Sequence, residues 1–68
     1  MDNTKFDVQG MSCQGCVASV TRVLKAVPGV ADVSVTLQPG TASVAYDAAR
    51  TNVDALKAAV QNAGYGVA

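Results

Sequence analysis

Apolar and polar residues alternate along residues 4–9, with Phe6 and Val8 on one side and Lys5, Asp7 and Gln9 on the other. A period of two predicts a strand with one buried face. The alternation breaks over residues 10–15, which read as a loop. From Cys16 the period changes: Val17, Val20, Leu24 and Val27 recur at steps of three and four, while Ser19, Arg22 and Lys25 take the opposite side. That spacing predicts an amphipathic helix, ended by Pro28 and Gly29. Val33, Val35 and Leu37 then alternate with Asp32, Ser34 and Thr36 as a second strand. Gln38, Pro39, Gly40 and Thr41 place Pro and Gly as a type II turn requires, so a hairpin leads to a third strand with Ala42, Val44 and Tyr46 on one face. Thr51, with Asp54 three residues on, resembles a capping box with Asp in place of Glu. It opens a second helix whose inner stripe is Val53, Leu56, Val60 and Ala63 and whose stop is Gly64. Residues 65–68 leave room for a short last strand.

The predicted order is β-α-β-β-α-β. Two right-handed βαβ units interlocked in one sheet make a ferredoxin-like α+β sandwich: a four-stranded antiparallel sheet with both helices on one face. The chain of 68 residues reads as one domain over residues 1–68, with no linker, low-complexity tract or charge run. Half of it is hydrophobic, but Ala and Val supply twelve residues each, and both bury little area. A domain of this size buries only about 60% of its unfolded surface, so its patterning has to be tight.

Charge and residue usage narrow the chemistry. Five basic and five acidic side chains give zero net charge, which argues against a nucleic-acid partner. The absence of His removes Ser-His-Asp and Cys-His catalysis and every His-containing metal site. Two cysteines are too few for a Cys₄ zinc site or a disulfide framework. No stretch approaches the roughly 18 apolar residues needed to cross a bilayer, so direct membrane insertion is not expected. The polar start does not read as a secretory signal. A cytoplasmic location is therefore expected, where a cysteine pair tends to stay reduced.

Both cysteines lie in Gly10-Met11-Ser12-Cys13-Gln14-Gly15-Cys16, between the first strand and the first helix. Backbone N–H groups at a helix start favour the thiolate, at Cys16 more than at Cys13. Two soft thiolates on a loop can approach one ion from opposite sides, and thiolate selects Cu(I) over harder divalent ions. With no His and no carboxylate on the loop, two-coordinate binding follows, a geometry suited to handing an ion on. The competing reading is a thioredoxin-like dithiol/disulfide oxidoreductase, whose CxxC also sits at a helix start. Against it stand the Gln14-Gly15 insert, the lack of a preceding Trp and the short chain. Packing cysteines, or half of a zinc site completed by a second chain, are further alternatives.

Gly10-Met11-Ser12-Cys13-Gln14-Gly15-Cys16 after a short strand resembles the GM(T/S)CxxC signature of heavy-metal-associated domains. Pro28-Gly29-Val30 and Ala63-Gly64-Tyr65 match the same family's punctuation, so the resemblance covers essentially the whole chain. It implies a ferredoxin-like carrier, not an enzyme, with metal ligands at Cys13 and Cys16. The implied cargo is Cu(I), with Hg(II), Ag(I), Zn(II) or Cd(II) as alternatives. The implied partner is the metal-binding domain of a P-type copper-transporting ATPase, reached by a cytosolic chaperone through ligand exchange. An excised domain of such an ATPase, or of a mercuric reductase, would carry the same motifs. Family members specialised for zinc or cadmium tend to place an acid beside a cysteine, so Ser12 and Gln14 favour copper.

The resemblance also implies that Met11 packs beneath the loop without being a ligand, which agrees with a lone Met beside a strand being core. Tyr65 matches a position near the metal loop. It either tunes the site or caps the sheet end with its hydroxyl in solvent. Gly10 and Gly15 are expected to give the loop backbone freedom. Arg22 and Lys25, with no acid between Cys16 and Val27, offer a basic face that would steer toward an acidic partner patch. A metal-bridged homodimer through shared cysteines is a further expectation of a two-coordinate site.

Overall fold

The computed structural model describes residues 2–37 and 40–67. The elements run β1 (Asp2–Gln9), α1 (Gln14–Lys25), β2 (Val30–Thr36), β3 (Thr41–Tyr46), α2 (Val53–Asn62) and β4 (Gly66–Val67). The sheet order is β2-β3-β1-β4, and every neighbouring pair is antiparallel. This is the ferredoxin-like arrangement expected from the sequence. Gln38 and Pro39 of the expected type II turn, and Ala68 of the last strand, lie outside the described residues.

Register explains how a chain poor in large side chains still closes its core. Phe6 of β1 pairs with Ala42 of β3, a large residue against a small one across the central ladder, and the similarly sized Thr4 and Val44 pair beside them. On the other side of β3, Val33 pairs with Val44 and Val35 with Ala42. A register shift between Val30 and Asp32 absorbs one residue of β2, so that Val30 meets Tyr46 and packs on the core. Phe6, Val8, Val33, Ala42, Val44 and Tyr46 from the sheet meet Val20 and Leu24 of α1 and Leu56 and Val60 of α2. Val20, Leu24, Leu56 and Val60 are fully sealed, at 0% exposure. The ends of the predicted stripes fare differently. Val17, Val27, Val35, Leu37 and Val53 are only half-buried, and Ala63 is exposed at the C-cap of α2. Residues at an element's end face fewer neighbours than those at its middle.

The structure corrects the start of α2. Its N-cap is Asn52, whose side-chain oxygen accepts from the Ala55 N–H at 2.8 Å, and not Thr51. Asn and Thr are adjacent cap formers here, and Asn52 takes the position because Thr51 is drawn inward. Thr51 is buried, and its hydroxyl has no partner among the described residues. Its methyl lies against Gly29, where a Cβ would stand 3.2 Å from Thr51 Cγ2 and 2.8 Å from the Arg50 Cβ. Gly29, at φ +95°, therefore lets the loop after α1 close on the loop before α2. A buried hydroxyl without a partner forfeits its hydration, so Thr51→Val is expected to raise stability by about 1–2 kcal/mol in urea denaturation. A loss of stability would instead show the hydroxyl bonded to an ordered water.

Candidate metal centre

The dithiol loop connects β1 to α1 at the end of the sheet where β1 also meets β4, through Gln9↔Gly66. Gly10 makes the exit from β1 at φ +93°, a left-handed conformation that side chains disfavour. Cys13 is the N-cap of α1, with extended backbone, and its Sγ accepts from the Cys16 N–H at 3.2 Å. Its carbonyl also accepts from the N–H groups of Cys16 and Val17, at 3.1 and 3.3 Å. The three-residue spacing of the motif is thus the spacing of a helix cap and its N3 residue. It brings the two sulfurs to 2.8 Å, one thiol donating to the other. Both cysteines are free thiols, Cys13 exposed and Cys16 half-buried.

The hydrogen bond from Cys13, followed by a backbone hydrogen bond from Ser12, pulls the Cys16 thiol down to about 7 from its ordinary 9.0. Smaller contributions come from the Tyr65 hydroxyl and the Cys13 backbone, against an opposing cost of desolvation. Tyr65 shifts the other way: its hydroxyl is raised, first by its hydrogen bond with Cys16, while Ser19 acts in the opposite sense. Because the folded-state value of Cys16 is depressed, this thiolate stabilises the fold fully above pH 9. The contribution is lost as pH falls through about 7. Alkylation of Cys16 by iodoacetamide, followed by peptide mass spectrometry, is expected to be half-maximal near pH 7. In Cys13→Ala the midpoint should move up toward the ordinary value; an unchanged midpoint would remove Cys13 as the cause.

Of the residues singled out from sequence, Cys13, Cys16 and Tyr65 meet at one place. Gly10 stands beside them, 3.8 Å in its Cβ direction from the Tyr65 ring. Met11 is half-buried and packs against the core. Ser12 and Gln14 are exposed. Gly15 departs from expectation. It lies in α1 without positive φ, and a Cβ there would meet Cys13 Sγ at 3.7 Å, an ordinary contact. Arg22 and Lys25 are not brought to the thiols; they occupy the last turn of α1. At 1.5 Å per residue they lie about 9 and 13 Å along the axis from Cys16. There they complement the negative end of the helix dipole. Ser19, one turn beyond Cys16 and in contact with the Tyr65 hydroxyl, was read from sequence only as outer face. The three-residue step from Cys16 was the available signal.

A four-stranded antiparallel sheet, two helices on one face and a thiol pair at the first helix start define the class of ferredoxin-like dithiol domains. The heavy-metal-associated domain family model matches residues 5–66, and the chain belongs to that family. The copper chaperone CopZ of Bacillus subtilis (strain 168) is 37% identical over 68 residues, covering 100% of this chain and 99% of that protein. Copper-transporting ATPase 2 of Rhizobium meliloti (strain 1021) is 44% identical over 61 residues, 90% of this chain; the match spans only 7% of the ATPase's length. Among solved structures, the copper binding domain from HMA7, a P-type ATPase, superposes with a TM-score of 0.98 at 31% identity. That match covers 100% of this chain and 92% of the other.

Proposed function

We propose that this chain is a cytoplasmic Cu(I) carrier. It holds the ion between the Cys13 and Cys16 thiolates and passes it to the metal-binding domain of a P-type copper-transporting ATPase. The observation that carries the reading is the donor set. Two thiols converge at the start of α1, and among the described residues no group of three or more His, Cys, Asp or Glu comes together anywhere. Two soft sulfurs without a third donor suit Cu(I) and leave the ion open to attack. At 2.8 Å the sulfurs must move apart to admit an ion, since a metal–sulfur bond alone takes about 2.3 Å. Cys13, exposed, is the residue with room to move.

Transfer proceeds by exchange of ligands. An incoming partner thiolate forms a third Cu–S bond and one of this chain's two bonds then breaks; a second partner thiolate displaces the other in the same way. Each bond lost is matched by one gained, so the oxidation state of copper and the total charge stay fixed. A protonated incoming thiol releases its proton to water first. The identity to a copper ATPase over 90% of the chain also favours a second reading, in which the same site is a domain of the ATPase itself. The chemistry at Cys13 and Cys16 is common to both.

X-ray absorption of the Cu(I)-loaded protein tests the site. Two short metal–sulfur distances with no nitrogen or oxygen neighbour are expected. A mixed tetrahedral shell would sink the reading. Efficient reduction of insulin disulfides combined with weak Cu(I) binding would move the chain to the oxidoreductase class.

A further inference from the structure

The sheet ends in two edges, β2 and β4. β4 has two residues and is too short to template another strand, whereas β2 has seven. The backbone groups that β2 presents outward follow from the ladder. The Val8 N–H donates to the Gly40 carbonyl at 2.8 Å, one step beyond the Asp7↔Thr41 pair. Bonded positions alternate along an antiparallel ladder, so Ala42, Val44 and Tyr46 turn their backbone groups to β1, and Thr41, Ser43 and Ala45 turn theirs to β2. The partners of those three are Thr36, Ser34 and Asp32. The N–H and C=O groups of Val33 and Val35 therefore point away from β3, out of the sheet edge. One of these donors is taken within the strand itself. The Val33 N–H donates to the neighbouring Asp32 carboxylate, Oδ1, at 2.9 Å. Asp32 is exposed and is the one charged side chain of β2, and the register shift lies directly before it.

We propose that Asp32 guards the free edge of β2: its carboxylate occupies the Val33 N–H and keeps β2 of a second copy from pairing there. A second copy is the occupant that the strand would otherwise suit, because β2 is its own complement. About a two-fold axis through Ser34, Val33 of each copy faces Val35 of the other, and each such pair can exchange both backbone bonds. On one face Val33 and Val35 would meet as β-branched neighbours. On the other Ser34 would meet Ser34 and Asp32 would meet Thr36, so no like charges stand opposite. Side-chain pairing thus favours the dimer, and the guard acts on the backbone. The incoming Val35 carbonyl finds its donor already bonded, with a carboxylate oxygen in the place it needs. The register shift adds a local twist that turns the start of the edge away from a straight partner. β3 separates this edge from β1 and its dithiol loop, so the inference stands apart from the carrier reading.

The reduced, metal-free chain is the material for the test, so neither a disulfide nor a shared ion can join two copies. In sedimentation equilibrium, Asp32→Ala should raise the self-association constant at least about ten-fold over the unmodified chain, the worth of a charge-assisted hydrogen bond. Asp32→Asn keeps an oxygen for the Val33 N–H and should stay within about two-fold of the unmodified chain. Amide hydrogen exchange in the Asp32→Ala dimer should slow at Val33 and Val35. In the unmodified chain, after correction for intrinsic rates, the bonded Val33 amide should exchange more slowly than the open Val35 amide. That comparison decides even if the alanine variant does not fold. Four results would each overturn the inference: an Asp32→Ala chain no more associated than the unmodified one, Asp32→Asn associating as strongly as Asp32→Ala, a dimer protected elsewhere than β2, or equal exchange at Val33 and Val35 in the unmodified chain.

Discussion

Cys16→Ser is expected to weaken Cu(I) binding at least about a thousand-fold in competition with a bis-thiolate chelator, on the order of 4 kcal/mol. The change exchanges a soft sulfur for a hard hydroxyl in a site where, among the described residues, no third His, Cys, Asp or Glu stands by to compensate. It also removes the member of the pair whose thiol is lowered to about 7, chiefly by its hydrogen bond from Cys13. Cys13→Ser should cost comparable affinity but differ in a second measurement. A serine hydroxyl is a good N-cap and can accept from the Cys16 N–H as the thiol does, so apo stability should hold or rise slightly. Equal retention of Cu(I) affinity in both variants would remove the cysteines from the site. Loss in only one would leave a single-sulfur site completed from elsewhere.

The second large effect is on folding. Leu24→Ala should reduce stability by about 2–5 kcal/mol, because Leu24 is fully sealed between α1 and the sheet and its truncation leaves a cavity there. For a chain of 68 residues the whole stability is roughly 3–10 kcal/mol at ordinary per-residue values. The variant should therefore be substantially unfolded at 37 °C, visible as collapsed amide dispersion and a lost cooperative melt. Leu56→Ala, equally sealed on α2, should behave alike. A loss under about 1 kcal/mol at either site would mean that the small Ala and Val residues around it close the cavity.

The fold was legible because the alternations of β1 and β3 and the three- and four-residue steps of α1 and α2 are long enough to leave one interpretation. Phe6, Val8, Ala42, Val44, Tyr46, Leu24 and Leu56 all face where their spacing put them. Less legible were features decided by contacts between distant segments. Asn52 displaced Thr51 as the cap because Gly29 closes on Thr51 from the loop after α1, which local sequence does not record. The shift in β2 around Ala31, which sets Val30 opposite Tyr46 and Asp32 opposite Ala45, lies in the pairing of two strands and not in the alternation of one. At the site, the CxxC spacing announced two neighbouring thiols, and the structure adds that Cys13 is itself the helix cap. The position of Arg22 and Lys25 relative to the thiols required only the rise of a helix.

β4 is two residues long and holds to β1 through Val8↔Val67 and Gln9↔Gly66, whereas β1 and β3 share six paired positions. Local opening costs least where the fewest pairs must be broken. The strap behind Tyr65 can therefore detach while the central ladder stays shut, and amide hydrogen exchange at Gly66 and Val67 should run ahead of that in β3. Tyr65 is hung from this strap and touches Cys16. The wall beside the thiols accordingly breathes on a clock of its own, separate from the global unfolding of the domain.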